Sequence, residues 1–382
     1  MNCSNIMNLL KEYSACGISG IRGKKNALLC LICCMIVIVM TACCSVPAEK
    51  EYVVPEISTD SAAAPQAVVP ESPQQLMYAY ERTPAAEEPL TFKEIYVYLM
   101  EGYEKWLNVD APFSSLAYFG TEVGTYGSLL RVPVRKKLPD LQRPVYLVAT
   151  CQSMSLSHFV LDPQFKLRGP LIQELVAATE PYDGLDVDYE YIPGKDGQHF
   201  LEFLTHLKKK LGNKKLRVCV KARVRELQND VYPYKKISEI ADSIMVMAYD
   251  EHWSTSAPGE VASMDWCRRV AEYALSQVPA EKLVMGLPFY GRSWVEPKLN
   301  RAYRFPVLND VLTENNVVKV ERRDGVPWCE YDVTAHVSVW FDDAYSVIQR
   351  ARMYKDMGVQ RIAFWSMGQE DPEVWNYLQV ED

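Results

Sequence analysis

Asp183-Gly184-Leu185-Asp186-Val187-Asp188-Tyr189-Glu190 is the stretch that decides how the rest of the chain is read. Successive side chains of a β-strand point to opposite faces, so Asp186, Asp188 and Glu190 share one face while Leu185, Val187 and Tyr189 share the other. Three carboxyls on one face, each ~6.5 Å from the next, are costly unless protons are shared or partners supplied. A metal, several basic neighbours or an outward solvated face would satisfy the acids without chemistry. The apolar alternate face, however, suits a strand packed under helices, which turns the acids toward a barrel interior where charge is expensive. That expense favours a functional site. Glu190 comes last, at the C-terminal mouth where barrel enzymes do their chemistry. A Glu close to other carboxylates and partly desolvated has its pKa pushed up, which suits a general acid.

Outward from this run, the chain alternates short β-branched or aromatic stretches with amphipathic ones. Candidate strands are Glu94–Leu99, Ser115–Phe119, Pro144–Thr150, Gly184–Glu190, Leu216–Lys221, Ser243–Tyr249, Lys282–Pro288 and Arg361–Trp365. Between them, Leu171-Ile172, Leu175-Val176 and Thr179 recur at helical spacing, as do Phe200, Phe203-Leu204 and Leu207. Trp266, Val270 and Tyr273-Ala274 form a third such pattern, and Ala344, Val347-Ile348 and Ala351 a fourth. Eight strands with intervening helices predict an α/β fold, a (β/α)8 TIM barrel over residues 90–382, with a doubly wound open sheet as the alternative. Residues from about 295 to 336 interrupt the alternation after the seventh strand. They carry Tyr303, Phe305, Trp328 and Tyr331 and read as a small inserted, hairpin-like subdomain forming one wall of a cleft.

Hydrophobic residues make up 48% of the 382-residue chain and charged ones 24%, leaving ample material for a large core. A net charge of −8 argues against a nucleic-acid partner. Seven of the 11 cysteines precede residue 45; Cys151, Cys219, Cys267 and Cys329 are far apart and read equally as free thiols or disulfides. Neither cysteines nor histidines show ligand spacing, so no metal and no cofactor is expected. His199 and His206 read as solvated members of a charged helix.

Arg22, Lys24 and Lys25 precede an apolar run from Ala27 to Met40, which ends in Met40-Thr41-Ala42-Cys43. A positive flank, a short apolar stretch and small terminal residues make a secretory signal over residues 1–43. Its end resembles a bacterial lipobox, in which Cys43 would become the acylated first residue. An uncleaved anchor is the alternative, although the run is shorter than the ~20 residues a spanning helix needs. Either form predicts export and tethering to a membrane at the cell envelope. Residues 44–89, rich in Pro, Ala, Ser and Glu, read as a semi-extended tether without a core of their own.

The acidic run resembles the Asp-Gly-x-Asp-x-Asp-x-Glu signature of family 18 glycoside hydrolases, the chitinase-like barrels. Met245-Val246-Met247-Ala248-Tyr249-Asp250 is similar to the sixth-strand end of that family, and Lys282 to Arg292 to its seventh strand. Val339-Trp340-Phe341-Asp342-Asp343 is similar to the segment before the last helix. Phe364-Trp365-Ser366-Met367-Gly368, followed by Glu370-Asp371, resembles the eighth-strand end of spore-cortex and cell-wall members. The resemblance spans residues 92 to 380.

It implies an enzyme whose substrate supplies its own nucleophile, an acetamido oxygen, and whose targets are glycans of β-linked N-acetylglucosamine. By the same resemblance Glu190 is the acid and later the base, and Asp188 orients the acetamido group. Asp186 lies beneath and shares a proton with Asp188, and Tyr249 donates to the acetamido oxygen. Asp250 would hold the sugar or tune the site, and Trp365 would form a floor under it. Tyr290 and Arg292 are expected cleft contacts, with Met247 lining the core beneath the sugar. Asp183, of the other parity, reads as a turn or a structural hydrogen bond. A monomer acting on peptidoglycan, chitin or the N-glycan core is the leading expectation; a non-catalytic glycan-binding lipoprotein, or a scaffold with a vestigial barrel, is the alternative.

Overall fold

A computed structural model describes residues 84–297 and 304–381. The signal, Cys43 and nearly all of the tether expected over 44–89 lie outside these residues. Among the described residues no helix is long and apolar enough to cross a membrane.

Eight parallel strands form the centre: β1 Glu94–Met100, β2 Ser115–Val123, β3 Val145–Thr150, β4 Gly184–Asp188, β5 Lys215–Lys221, β6 Ser243–Met247, β7 Leu283–Pro288 and β8 Arg361–Trp365. Each pairs with its chain neighbours, and β8 closes on β1 through Arg361 opposite Glu94 to Phe364 opposite Val97. Closure removes the open doubly wound sheet from consideration. The expected helices are present as α2 Arg168–Ala178, α3 Gly197–Leu211, α5 Met264–Gln277 and α6 Ala344–Asp356, joined by the short α1 Met154–Leu161 and α4 Tyr234–Ile240. The connection after β1 holds one 3-10 turn, and that after β2 holds two with the edge strand Leu129–Arg131 between them, so the ring of helices is incomplete there.

Strand alternation sorts side chains into two apolar regions. Outward residues such as Ile95, Val97, Leu185, Val187, Leu216 and Val218 are fully buried against the helices. Each such side chain contributes about 1.5–3 kcal/mol by leaving water. Inward residues form a second cluster that includes Tyr96, Tyr98, Ala117, Cys219, Met245 and Ala363, with Phe119, Met247 and Trp365 packed at its upper end.

Two strands stop earlier than their apolar pattern suggests. β4 ends at Asp188 and β6 at Met247, so Glu190 and Tyr249 each lie two residues beyond their strand. For β4 the cause is local. The Tyr189 carbonyl accepts the Tyr232 hydroxyl at 2.6 Å instead of a strand partner. The Tyr189 ring stacks on Phe203 of α3 at 5.6 Å between centroids. The turn that carries Glu190 is therefore pinned by its outward neighbour.

The insertion follows β7 as expected. Arg292–Glu296 pairs antiparallel with His336–Trp340, and between them lie helix Leu308–Glu314 and the hairpin Glu321–Arg323/Val326–Trp328. Cys151, Cys219, Cys267 and Cys329 are free thiols.

Candidate active site

At the C-terminal mouth of the barrel, a pocket of about 380 Å³ gathers residues from seven of the eight strands or the turns that follow them. Its lining includes Asp188 and Glu190 after β4, Met247, Tyr249 and Asp250 after β6, Tyr290 and Arg292 after β7, and Trp365 ending β8. The catalytic and substrate-binding residues expected from the sequence, Asp186 excepted, thus line one cavity, whereas, among the described residues, the insertion contributes only Arg292 at its root and not the aromatic wall expected of it. A larger groove, about 790 Å³, lies among α3, α4 and α5 and contains none of them.

The three acids occupy distinct surroundings. Asp186 is fully buried below the pocket. It accepts the Tyr98 hydroxyl at 2.7 Å and the Cys219 thiol at 3.4 Å, and Arg217 Nε lies 3.4 Å away. Arg217 is itself buried, its guanidinium 4.0 Å from the Tyr96 ring centre and 3.9 Å from that of Tyr146. None of its side-chain nitrogens has a hydrogen-bond acceptor. Asp188, one level up, is also buried, and its Oδ1 has no partner. Burial, then Glu190, then Asp186 push its carboxyl well above the usual range. Glu190 is half-buried at the mouth. Burial raises its pKa, Lys221 pulls it down, and Asp250 adds to the rise.

Asp183 has no part in this column: its Oδ2 accepts the Val145 N–H at 2.8 Å and ties the start of β4 to β3. Tyr249 is held protonated by burial, with Cys219 and Asp188 reinforcing the shift. Its seat depends on Gly286, which faces inward on β7; a Cβ there would come within 2.8 Å of the Val246 carbonyl and 3.0 Å of the Tyr249 ring. Asp250 takes a left-handed backbone, φ 59°. This turns its carboxylate to accept Tyr290 Oη at 2.5 Å and Arg292 Nε at 3.0 Å. Arg292 is the first residue of the inserted ribbon, so the insertion is clamped to the site at its root. Trp365 packs on Phe119 edge to face at 5.0 Å and on Tyr98 at 5.6 Å.

The sequence reading missed Arg217 and Lys221. The run Leu216-Arg217-Val218-Cys219-Val220-Lys221 gave the signal: apolar residues on one parity and two cations on the other. It also missed a polar cluster on the barrel's outside. His158 Nδ1 and His199 Nδ1 each lie 3.0 Å from the buried Asp196 carboxylate, and Asp162 is close by. His199 is therefore tethered rather than freely solvated, because α3 begins beside Asp196. Lys195 Nζ meets His158 Nε2 at 3.0 Å. With that nitrogen accepting and Nδ1 donating to Asp196, the cluster is satisfied as a hydrogen-bonded network.

An intact acid column with a tyrosine and a tryptophan at the mouth of a closed barrel is what the resemblance requires. The signature described as "Glycosyl hydrolases family 18" matches residues 164–370, more than half of the chain. The chain belongs to glycosyl hydrolase family 18. Among family relatives, it is 24% identical over 296 residues to the cortical fragment-lytic enzyme of Bacillus anthracis, covering 70% of this chain and 68% of that one. The class V chitinase CHIT5 of Lotus japonicus is 27% identical over 232 residues, 51% of this chain and 58% of that protein. The chain spans about two thirds of the length of the bacterial relatives it matches. Two solved family structures share the fold. The spore cortex-lytic enzyme SleL of Bacillus cereus superposes with a TM-score of 0.62 at 21% identity, covering 77% of this chain and 76% of that one. A chitinase of Chromobacterium violaceum superposes with a TM-score of 0.60 at 22% identity, covering 75% and 97%. As a family 18 glycosidase, the chain carries its acids on β4 and the turn that follows.

Proposed function

We propose that this glycosidase cleaves glycans of β-linked N-acetylglucosamine by substrate-assisted, retaining catalysis, with Glu190 as general acid and then general base. The observation that carries the reading is the buried, unpartnered Oδ1 of Asp188 beside Glu190 in a pocket floored by Trp365. A buried acceptor without a donor is costly, and an acetamido N–H entering the pocket would supply that donor. With its N–H held by Asp188 and its oxygen met by the Tyr249 hydroxyl, the acetamido group is turned toward the anomeric carbon. Glu190, kept protonated by burial, gives its proton to the leaving oxygen as the acetamido oxygen attacks. The positive oxazolinium that forms lies over the acid column. Glu190, now ionised, takes a proton from the water that opens the ring, and the anomeric configuration is retained.

Among the candidate polymers, cell-envelope peptidoglycan is favoured over chitin and the N-glycan core. The lipobox-like Cys43 and the tether would hold a monomer at the membrane near that glycan, and cortical fragment-lytic enzymes are among the relatives. Mass spectrometry of products from peptidoglycan, chitin oligomers and N-glycans incubated side by side tests the reading. Cleavage at an N-acetylglucosamine linkage, lost in Glu190→Gln, is expected. Wild-type rates in that variant would sink the assignment of the acid. Palmitate labelling that survives Cys43→Ala would sink the lipid anchor.

A further inference from the structure

Strand β5 sets Leu216, Val218 and Val220 against the helices and turns Arg217, Cys219 and Lys221 inward. In its register with β4, Asp186 lies opposite Arg217. That pairing ends at Val187 opposite Val218; higher up, Lys221 closes β5 opposite Met247 of β6, at the mouth, with its ammonium beside Tyr191, the chain neighbour of Glu190. The two lower members serve Asp186. Lys221 has no such partner: it is half-buried, its Nζ lies 5.5 Å from the Tyr191 ring centre, and no described carboxylate is within ion-pair distance of it. The strand end beneath it is fixed by the Tyr234 hydroxyl, which donates to the Lys221 carbonyl at 2.7 Å. A partly desolvated ammonium without a counter-charge is unfavourable, so its placement calls for an anion.

We propose that Lys221 is a positioning residue for the acid, the standing counterion of the Glu190 carboxylate in the half of the cycle when that carboxylate is ionised and must take a proton from water. The inference rests on Glu190 being the acid/base. The other titratable or charged groups around Glu190 are Asp188, Cys219, Tyr249, Asp250, Tyr290 and Arg292, which share its pocket, and Tyr232 after β5. Asp250 already clamps Arg292, which leaves Lys221, beside Tyr191 at the end of β5, as the cation on the Glu190 side of the mouth. The direction of its influence agrees, since it opposes the rise that burial imposes on Glu190.

Lys221→Met removes the charge and keeps the stem. Glu190 then holds its proton to higher pH, and the alkaline limb of kcat/KM moves up by about one pH unit. Lys221→Arg keeps a cation and leaves the limb in place, which a role in packing alone would not distinguish. The same shift is expected without substrate, in the carboxyl carbon-13 resonance of Glu190 in the labelled full chain, assigned by its loss in Glu190→Gln. A midpoint in Lys221→Met that stays put or falls overturns the proposal. If the wild type cleaves no glycan, the functional reading fails, and the resonance still decides the role of Lys221.

Discussion

Replacing Arg217 with Met strips the cation from beneath the acids and keeps most of the side chain's length. Three contacts go: the 3.4 Å approach to Asp186 and the stacking on Tyr96 and Tyr146 at 4.0 and 3.9 Å. Removing one partner of a buried ion pair costs about 3–5 kcal/mol, because the other charge is left uncompensated. The Tyr98 and Cys219 donors to Asp186 survive. Three nitrogens without acceptors also disappear, which returns about 1–3 kcal/mol. The net expectation is a loss of about 2 kcal/mol, which for a domain of this size lowers Tm by roughly 3 °C. Thermal and urea unfolding followed by circular dichroism at pH 7 would read it. The sharper form is a double-mutant cycle with Asp186→Asn, in which the double variant should be less destabilised than the summed singles by about 1–3 kcal/mol. A coupling below about 0.5 kcal/mol would show that the two buried groups are indifferent to one another, and the account of the column's base would fall.

Glu190→Gln should lower kcat by about 10²- to 10⁴-fold while glycan affinity, read by calorimetry, stays within a few-fold. Asp188 and Glu190 have raised pKa values in the fold, so their stabilising contribution is present at low pH and lost as pH rises through the folded-state values. Asp188→Asn should therefore raise Tm at pH 8 by about 2 °C or more, with the gain vanishing toward pH 4; an equal gain at both pH values would contradict burial of the charge. Trp365→Ala should raise KM on a soluble oligosaccharide about tenfold or more, corresponding to the loss of a stacked ring face. Asp183→Ala, which loses only the bond to Val145, should cost about 1 kcal/mol of stability in a urea melt and leave kcat unchanged.

The strands were legible because their apolar residues obey a period of two on the outside of the barrel. The acid column was legible because three carboxyls broke that apolar pattern on one parity. β5 repeats the device with Arg217 and Lys221, yet a cation in a strand is read as a solvated edge unless its neighbours across the barrel are known. The premature ends of β4 and β6 were hidden for a different reason. Apolar residues continue past Asp188 and Met247, and it is tertiary bonds, such as that from Tyr232 to the Tyr189 carbonyl, that stop the ladder. The missing helices after β1 and β2 left their trace only as an absence of helical periodicity. The Asp196 network joins residues 38 apart, a distance no local pattern conveys.

Gly286 has a consequence for how this activity can be lost. A methyl added there would press on the Val246 carbonyl and on the Tyr249 ring at once, so it would push β6 and its tyrosine away from β7 without altering any acid or cation. One neutral, apolar substitution on a strand that carries no acid could thus reshape the pocket. Inspection of the acids alone would not reveal the change.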